Sequence, residues 1–146
     1  MPRVTAQSKI SEVPKADYRH LAEFRHELRE FLHFSESAAR GSGLLPQQHQ
    51  AMLVIHGFSA TGLMAVGELA AYLKIRHHSA VGLLSRMQGK GLVAKAADPE
   101  DRRRVLVRLT TSGVKALEKL SAAHKSELAR VGPALRQILS HLDALP

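Results

Sequence analysis

Cysteine is absent from the 146 residues, and so is tryptophan. Without cysteine the chain forms no disulfide, no thiolate nucleophile and no Cys-based zinc or iron–sulfur site. That absence fits a reducing compartment, and the expected localisation is cytoplasmic. Aromatic residues make up 4% of the chain against 45% hydrophobic residues in all, so the core has to be packed through Leu, Ala, Val and Met. No apolar run approaches the ~18 residues that cross a bilayer. The N-terminus lacks the apolar stretch of a signal peptide, and no membrane partner is expected. Catalytic signatures are missing too: there is no Gly-x-Ser-x-Gly, no Walker loop, no dinucleotide fingerprint and no His-Glu-x-x-His. Neither an enzyme activity nor a cofactor is expected. Nine histidines invite a metal reading. However, His49 and His56 are two helical turns apart and His77 and His78 are adjacent, so neither pair has the i, i+4 spacing of a zinc helix; no metal site is expected.

Negative charge is also scarce. Thirteen Asp and Glu face 21 Lys and Arg, for a net charge of +8. The excess is concentrated: residues 74 to 108 hold nine basic and three acidic residues, which is +6 of that total. A strongly basic stretch points to a polyanionic partner, whereas charge that only aided solubility would be spread out.

Residues 1–14 hold two prolines and no sustained period, and are expected to be a loose arm. From Lys15, the residues Leu21, Phe24, Leu28, Phe31 and Leu32 mark one face of a helix. The helix is expected to stop at Arg40-Gly-Ser-Gly43. Pro46 suits the first turn of a second helix reaching about His56, with Ala51, Met52 and Ile55 inward. A glycine-bearing loop, 57–62, leads to a short helix from Val66 to Leu73. Lys74-Ile-Arg76 then turns into another helix from His77 to about Gln88. Two short helices joined by so brief a turn form a helix-turn-helix pattern.

In the second of these helices, Ala80, Leu83, Leu84 and Met87 form the inward stripe. His77, His78, Ser79, Gly82, Ser85 and Arg86 are left on an outer face of small and polar residues, which lets a helix backbone sit deep in a major groove. Gly89-Lys90-Gly91 breaks the helix. Two strand-like runs follow, 92–97 and 105–109, around the polar loop Asp98-Pro-Glu-Asp-Arg-Arg-Arg104. A helix followed by a hairpin with a basic tip makes a winged helix. Arg102, Arg103 and Arg104 supply guanidinium groups suited to the negative potential of a minor groove. Asp101 beside them is expected to orient one arginine through a bidentate pair. Thr110 or Thr111 then caps a helix whose seam is Val114, Leu117, Leu120, Leu128 and Val131. Gly132-Pro133 is expected to break it before a last helix carrying Leu135, Ile138, Leu139, Leu142 and Leu145. The terminal helices carry more apolar surface than a small winged domain can cover, and an unpaired amphipathic helix is unstable in water. A second copy packed across a two-fold axis resolves this.

The expected fold is therefore mainly α with a small β-wing. Residues 44–110 would form a winged helix-turn-helix DNA-binding domain, and residues 15–40 and 111–146 a helical dimerisation region. Three segments carry a family resemblance: Gly43-Leu-Leu-Pro-Gln-Gln-His-Gln50, the run His78 to Val93, and Asp98-Pro-Glu-Asp-Arg-Arg-Arg-Val-Leu-Val-Arg-Leu-Thr-Thr-Ser-Gly113. The third is the most specific. Together they resemble the MarR-type transcriptional regulators over roughly residues 15 to 142. The resemblance implies a homodimer on a pseudo-palindromic double-stranded operator, usually a repressor released by a small, often aromatic or phenolic, effector. It assigns His77, His78, Ser79 and Arg86 to bases and phosphates, and Asp101 and Arg103 to the wing. With Ser85, Lys90, Arg102 and Arg104 these complete the candidate DNA-binding set. His33, His49 and His56 lie on helices that line the family's effector pocket. Leu45 is a departure, since the family usually places Thr there as a helix cap. A non-specific architectural DNA binder is the competing reading; it shares the charge but would not discriminate an operator from random DNA.

Overall fold

The computed structural model describes residues 12–143. The elements run α1 (Lys15–Gly41), α2 (Pro46–Phe58), β1 (Met64–Ala65), α3 (Val66–Leu73), α4 (His77–Gly89), β2 (Val93–Ala97), β3 (Val105–Leu109) and α5 (Thr111–Asp143). The expected loose arm lies almost wholly outside the described residues, as does Leu145 at the other end.

Three helices end in the same way. After α1, Gly43 takes a left-handed φ of 76°, its N–H bonds Arg40 O, and the Leu44 N–H reaches back to Ala39 O. After α4, Gly91 repeats the geometry at φ 71°, with Leu92 N–H on Met87 O. After α3 the left-handed residue is Lys74, φ 54°, with Ile75 N–H on Ala70 O. These double bonds satisfy carbonyls that a helix end leaves open, and each carries a hydrophobic residue back onto the core. Leu44 and Leu92 are accordingly buried. The chain thus turns sharply at each exit, which stacks the short helices around one cluster. That cluster includes Met52, Ile55, Leu69, Leu83, Leu84 and Met87, with Val107 of the sheet and Leu117 and Leu120 of α5.

The sheet has three antiparallel strands in the order β1-β3-β2, where two were expected. β1 is only two residues long, with Met64 opposite Val107 and Ala65 opposite Leu106. It is defined by pairing with a distant strand, and two residues cannot show alternation. The β2–β3 hairpin pairs Val93 with Leu109 through to Ala97 with Val105.

α5 starts where Thr110 Oγ1 accepts the Gly113 N–H at 3.0 Å, a standard N-cap arrangement. The Thr110 hydroxyl also donates to Gly91 O, and the Thr110 N–H bonds Leu92 O at 3.0 Å. A Cβ on Gly113 would stand 2.1 Å from Leu92 O. Threonine and glycine three apart therefore seat the long helix directly on the turn that closes α4.

The expected break at Gly132-Pro133 does not occur, and α5 continues as one 33-residue helix with Pro133 inside it. Proline removes one intrahelical N–H and crowds the preceding turn. Here Val131 and Ile138, both buried, bracket it and hold the two halves in register against α1, the helix that α5 packs along. The apolar stripe of α1 also divides. Phe24 and Phe31 are partly covered, whereas Leu21, Leu28 and Leu32 are exposed by 50, 42 and 49%.

Candidate nucleic-acid interface

The inner stripe of α4 is buried as its spacing requires: Ala80, Leu83, Leu84 and Met87. The opposite side exposes His77, His78, Ser79, Ser85 and Arg86, with Gly82 partly covered. The one large hydrophobic residue of α4 that is exposed is Val81, 40% open at the edge of that face.

The ten candidate residues do not behave alike. Arg102 and Arg103 are exposed at the hairpin tip, and neither guanidinium makes an ion pair among the described residues. Arg104 is engaged: its Nη2 donates to Glu68 Oε1 of α3 at 2.8 Å, and its Nη1 lies 4.0 Å from Asp98 Oδ2. Asp101 does not form the expected bidentate pair with an arginine. Its Oδ1 accepts the Arg103 backbone N–H at 3.0 Å, and its carbonyl accepts the Arg104 N–H at 3.0 Å. Aspartate side chains bond the backbone two residues on and stabilise tight turns in this way. Asp98 does the same for the Glu100 N–H at 2.9 Å. Two carboxylates thus shape the loop and leave the tip to its cations.

Ser85 Oγ accepts from Lys95 Nζ at 3.1 Å, joining β2 to the outer side of α4. Lys90 is turned toward the α1–α2 junction. Its Nζ donates to Gly43 O at 3.2 Å and to Gln48 Oε1 at 3.1 Å, tying the end of α4 to the α1–α2 junction. Gln48 Oε1 also accepts the Leu45 N–H at 3.1 Å. The Leu45 side chain has no acceptor, so only this returning half of a capping box is made. Between the hairpin and the two short helices lies a crevice of about 350 Å³, lined by Val66, Glu68, Val81, Arg103, Arg104 and Val105 among others.

Of the three expected pocket histidines, His33 and His56 are exposed and His49 is buried. His49 sits 4.8 Å, centroid to centroid, from His124 of α5. Phe31 and Phe34 of α1 meet His124 edge-on at 5.9 and 5.5 Å. His124 Nδ1 lies 2.6 Å from Leu120 O and its Nε2 2.7 Å from Ser35 Oγ. A carbonyl only accepts, so Nδ1 carries a hydrogen. Ser35 can donate to a neutral ring or accept from a charged one, so His124 keeps both bonds in either state. Burial lowers the pKa of His49 below the usual imidazole value, and the facing charge of His124 lowers it further. Sequence reasoning passed over His124. Its signal was a lone polar residue in an apolar seam, four residues after Leu120. Among the described residues no group of three His, Asp or Glu is arranged to hold a metal ion, and no helix is long and apolar enough to cross a membrane.

Residues 42–104 match the MarR family model, the stretch from the end of α1 to the last wing arginine. The chain is 37% identical over 76 residues to the transcriptional activatory protein BadR of Rhodopseudomonas palustris, an alignment covering 52% of this chain and 43% of that one. It is 31% identical over 87 residues to the HTH-type transcriptional regulator YcgE of Bacillus subtilis, covering 60% and 54%. The chain thus spans about half the length of the curated relatives it matches. Among solved structures it is similar to AbsC of Streptomyces coelicolor, with a TM-score of 0.68 at 18% identity over 92% of this chain and 99% of that one. The S. aureus MepR–DNA complex gives 0.67 at 20% over 90% and 96%. An E. coli MarR mutant complexed with operator DNA gives 0.61 at 20% over 90% and 95%. The sequence match over the helix-turn-helix and wing, with a fold shared along nine-tenths of the chain, makes this a winged-helix protein whose residues 42–104 are similar to the MarR family.

Proposed function

We propose that the chain is a sequence-specific transcription regulator that binds double-stranded DNA as a homodimer. One observation carries the reading: α4 presents a small, polar, uncovered face beside a hairpin whose tip holds Arg102 and Arg103 without acidic partners among the described residues. Small side chains let α4 enter a major groove, with His77, His78, Ser79 and Arg86 meeting bases and phosphates. Arg103, with Arg102, would enter the adjacent minor groove, where negative potential favours guanidinium. Ser85 lies on the same face; Lys90, tied to Gly43 and Gln48, acts through the position of α4. MepR and E. coli MarR have been crystallised with DNA, which supports giving this face the same role.

Residues 44–110 form the reading head in this proposal, and residues 15–40 and 111–146 form the pairing arms. Leu21, Leu28 and Leu32 of α1 and Leu128 and Leu139 of α5 are open in the single chain, and a second copy would cover them. Two heads then address half-sites about one helical turn, ~34 Å, apart on a pseudo-palindromic operator. Such a dimer represses by occupying its site and is released when a small aromatic or phenolic effector binds between arms and head, near His49 and His124. One relative is named an activator; in this reading the sign of regulation follows the operator's position. His33 and His56 flank this region only as exposed residues.

Selection of bound fragments from a randomised duplex pool tests the proposal. An enriched two-fold motif, bound with an affinity that falls steeply with salt, is expected. Binding of all fragments alike would favour the architectural alternative, and no binding in dilute salt would reject both.

A further inference from the structure

We propose that Glu68 and Arg104 are positioning residues for DNA recognition: their ion pair sets where the wing tip lies relative to α4, and Arg104 makes no phosphate contact of its own. This rests on the DNA-binding reading above. Arg104 is the residue at which the wing loop rejoins β3. Its guanidinium spans 36 residues of sequence to reach Glu68 at 2.8 Å. It also faces Asp98 at 4.0 Å, the residue at which the loop leaves β2, and the Asp98 N–H bonds Arg104 O at 3.1 Å. One planar group therefore joins both sides of the hairpin neck to the helix-turn-helix. Guanidinium suits this because its donors are fixed in a fork, which an ammonium lacks. Glu68 stands in the first turn of α3, where the helix dipole favours a carboxylate.

The crevice explains why polar bonds matter here. About 350 Å³ separates the hairpin from α3 and α4, with Val66, Val81 and Val105 on its walls. Apolar side chains do not fill that space, so packing alone does not fix the wing's inclination. Two ties cross it: Arg104 to Glu68, and Lys95 to Ser85 at 3.1 Å. The first is the one attached at the base of the tip that carries Arg103.

Two simpler expectations oppose this one. If Glu68 is only a carboxylate beside a polyanion, removing its charge strengthens binding. If Arg104 is a phosphate contact, removing it lowers the salt slope by about 0.9, the release of one counterion. The test measures affinity against salt concentration for a labelled duplex selected by the wild-type protein. The variants are Glu68→Gln, Arg104→Gln, the double variant, the swap Glu68→Arg with Arg104→Glu, and Arg103→Gln as comparison. Glu68→Gln and Arg104→Gln are each expected to weaken binding about two- to fivefold, the range of an exposed ion pair. Their salt slopes are expected to stay unchanged, and the double variant to be no worse than either single one. The swap should recover most of the loss, while Arg103→Gln lowers the slope. Amide exchange across residues 98–104 in the free protein should quicken in Glu68→Gln. Tighter binding by Glu68→Gln, a lowered slope for Arg104→Gln, or additive losses would each overturn the assignment while the DNA-binding reading stands. Failure of the wild-type protein to select any duplex would instead remove the reading on which it rests.

Discussion

Three adjacent arginines at the wing have three different surroundings. Arg104 is bonded to Glu68 and faces Asp98. Arg103 has its backbone N–H held by Asp101 and its side chain without an ion pair among the described residues, and Arg102 is exposed beside it. A side chain that is free over a fixed backbone is what insertion into a groove requires. Arg103→Ala is therefore expected to weaken operator binding by roughly 1–3 kcal/mol without lowering the melting temperature. A gel-shift titration with unchanged affinity would refute the wing assignment. His49 supports a prediction about acid. Its pKa in the folded chain lies below the ordinary 6.5, through burial first and the charge of His124 second. Protons therefore bind more tightly to the unfolded chain, so stability is at its full value above 6.5 and declines as pH falls through the lower, folded pKa. Thermal melts from neutral pH down through the imidazole range should show this decline. In His49→Leu, which keeps an apolar group against a still-present His124, the decline should be shallower; equal slopes would mean that His49 is not the group responsible.

At the scale of elements, local rules succeeded where a single residue decides the geometry. Gly43 and Gly91 occupy left-handed positions, and the helix ends expected at both were found. Of the two threonines expected to cap α5, Thr110 does so. Elements defined by distant partners escaped. β1 exists because Met64 and Ala65 pair with Val107 and Leu106, and His124 meets Ser35 across 89 residues. Glu68 gave no sign in sequence that it would hold Arg104. Pro133 shows a local rule overridden: the cost of one missing bond is offset by burial on both sides, at Val131 and Ile138. The start of α5 gives a direct test of this level. Gly113→Ala puts a methyl carbon 2.1 Å from Leu92 O. The α4 exit or the α5 cap has to shift, and overpacking of this kind costs about 1–3 kcal/mol. Urea unfolding should register that loss. An unchanged midpoint would show that the contact relaxes without cost.

For the molecule as a whole, the core around α2, α3 and α4 is covered, and the outer faces of α1 and α5 are not. The core joins α2, α3, α4, the sheet and the first turns of α5, whereas large leucines remain open along α1 and the far part of α5. If a second copy covers them, a charge at Leu28 has to be buried without a partner. Leu28→Glu is then expected to weaken association by about 3 kcal/mol, over a hundredfold in dissociation constant, with the head still folded. Sedimentation velocity separates the outcomes, and a Leu28→Glu protein as dimeric as the parent would exclude this face from the interface.

The unbroken course of α5 has a mechanical consequence. It is anchored to the wing root through Thr110 and Gly113 and extends for 33 residues, about 50 Å at the standard rise. A bar of that length magnifies angle into distance: tilting its far end by about 5° sweeps the anchored end through roughly 4 Å, against a groove repeat near 34 Å. In the proposed dimer, an effector lodged beside His124, partway along the bar, would need to move it only slightly to throw the two DNA-reading faces out of step with a duplex.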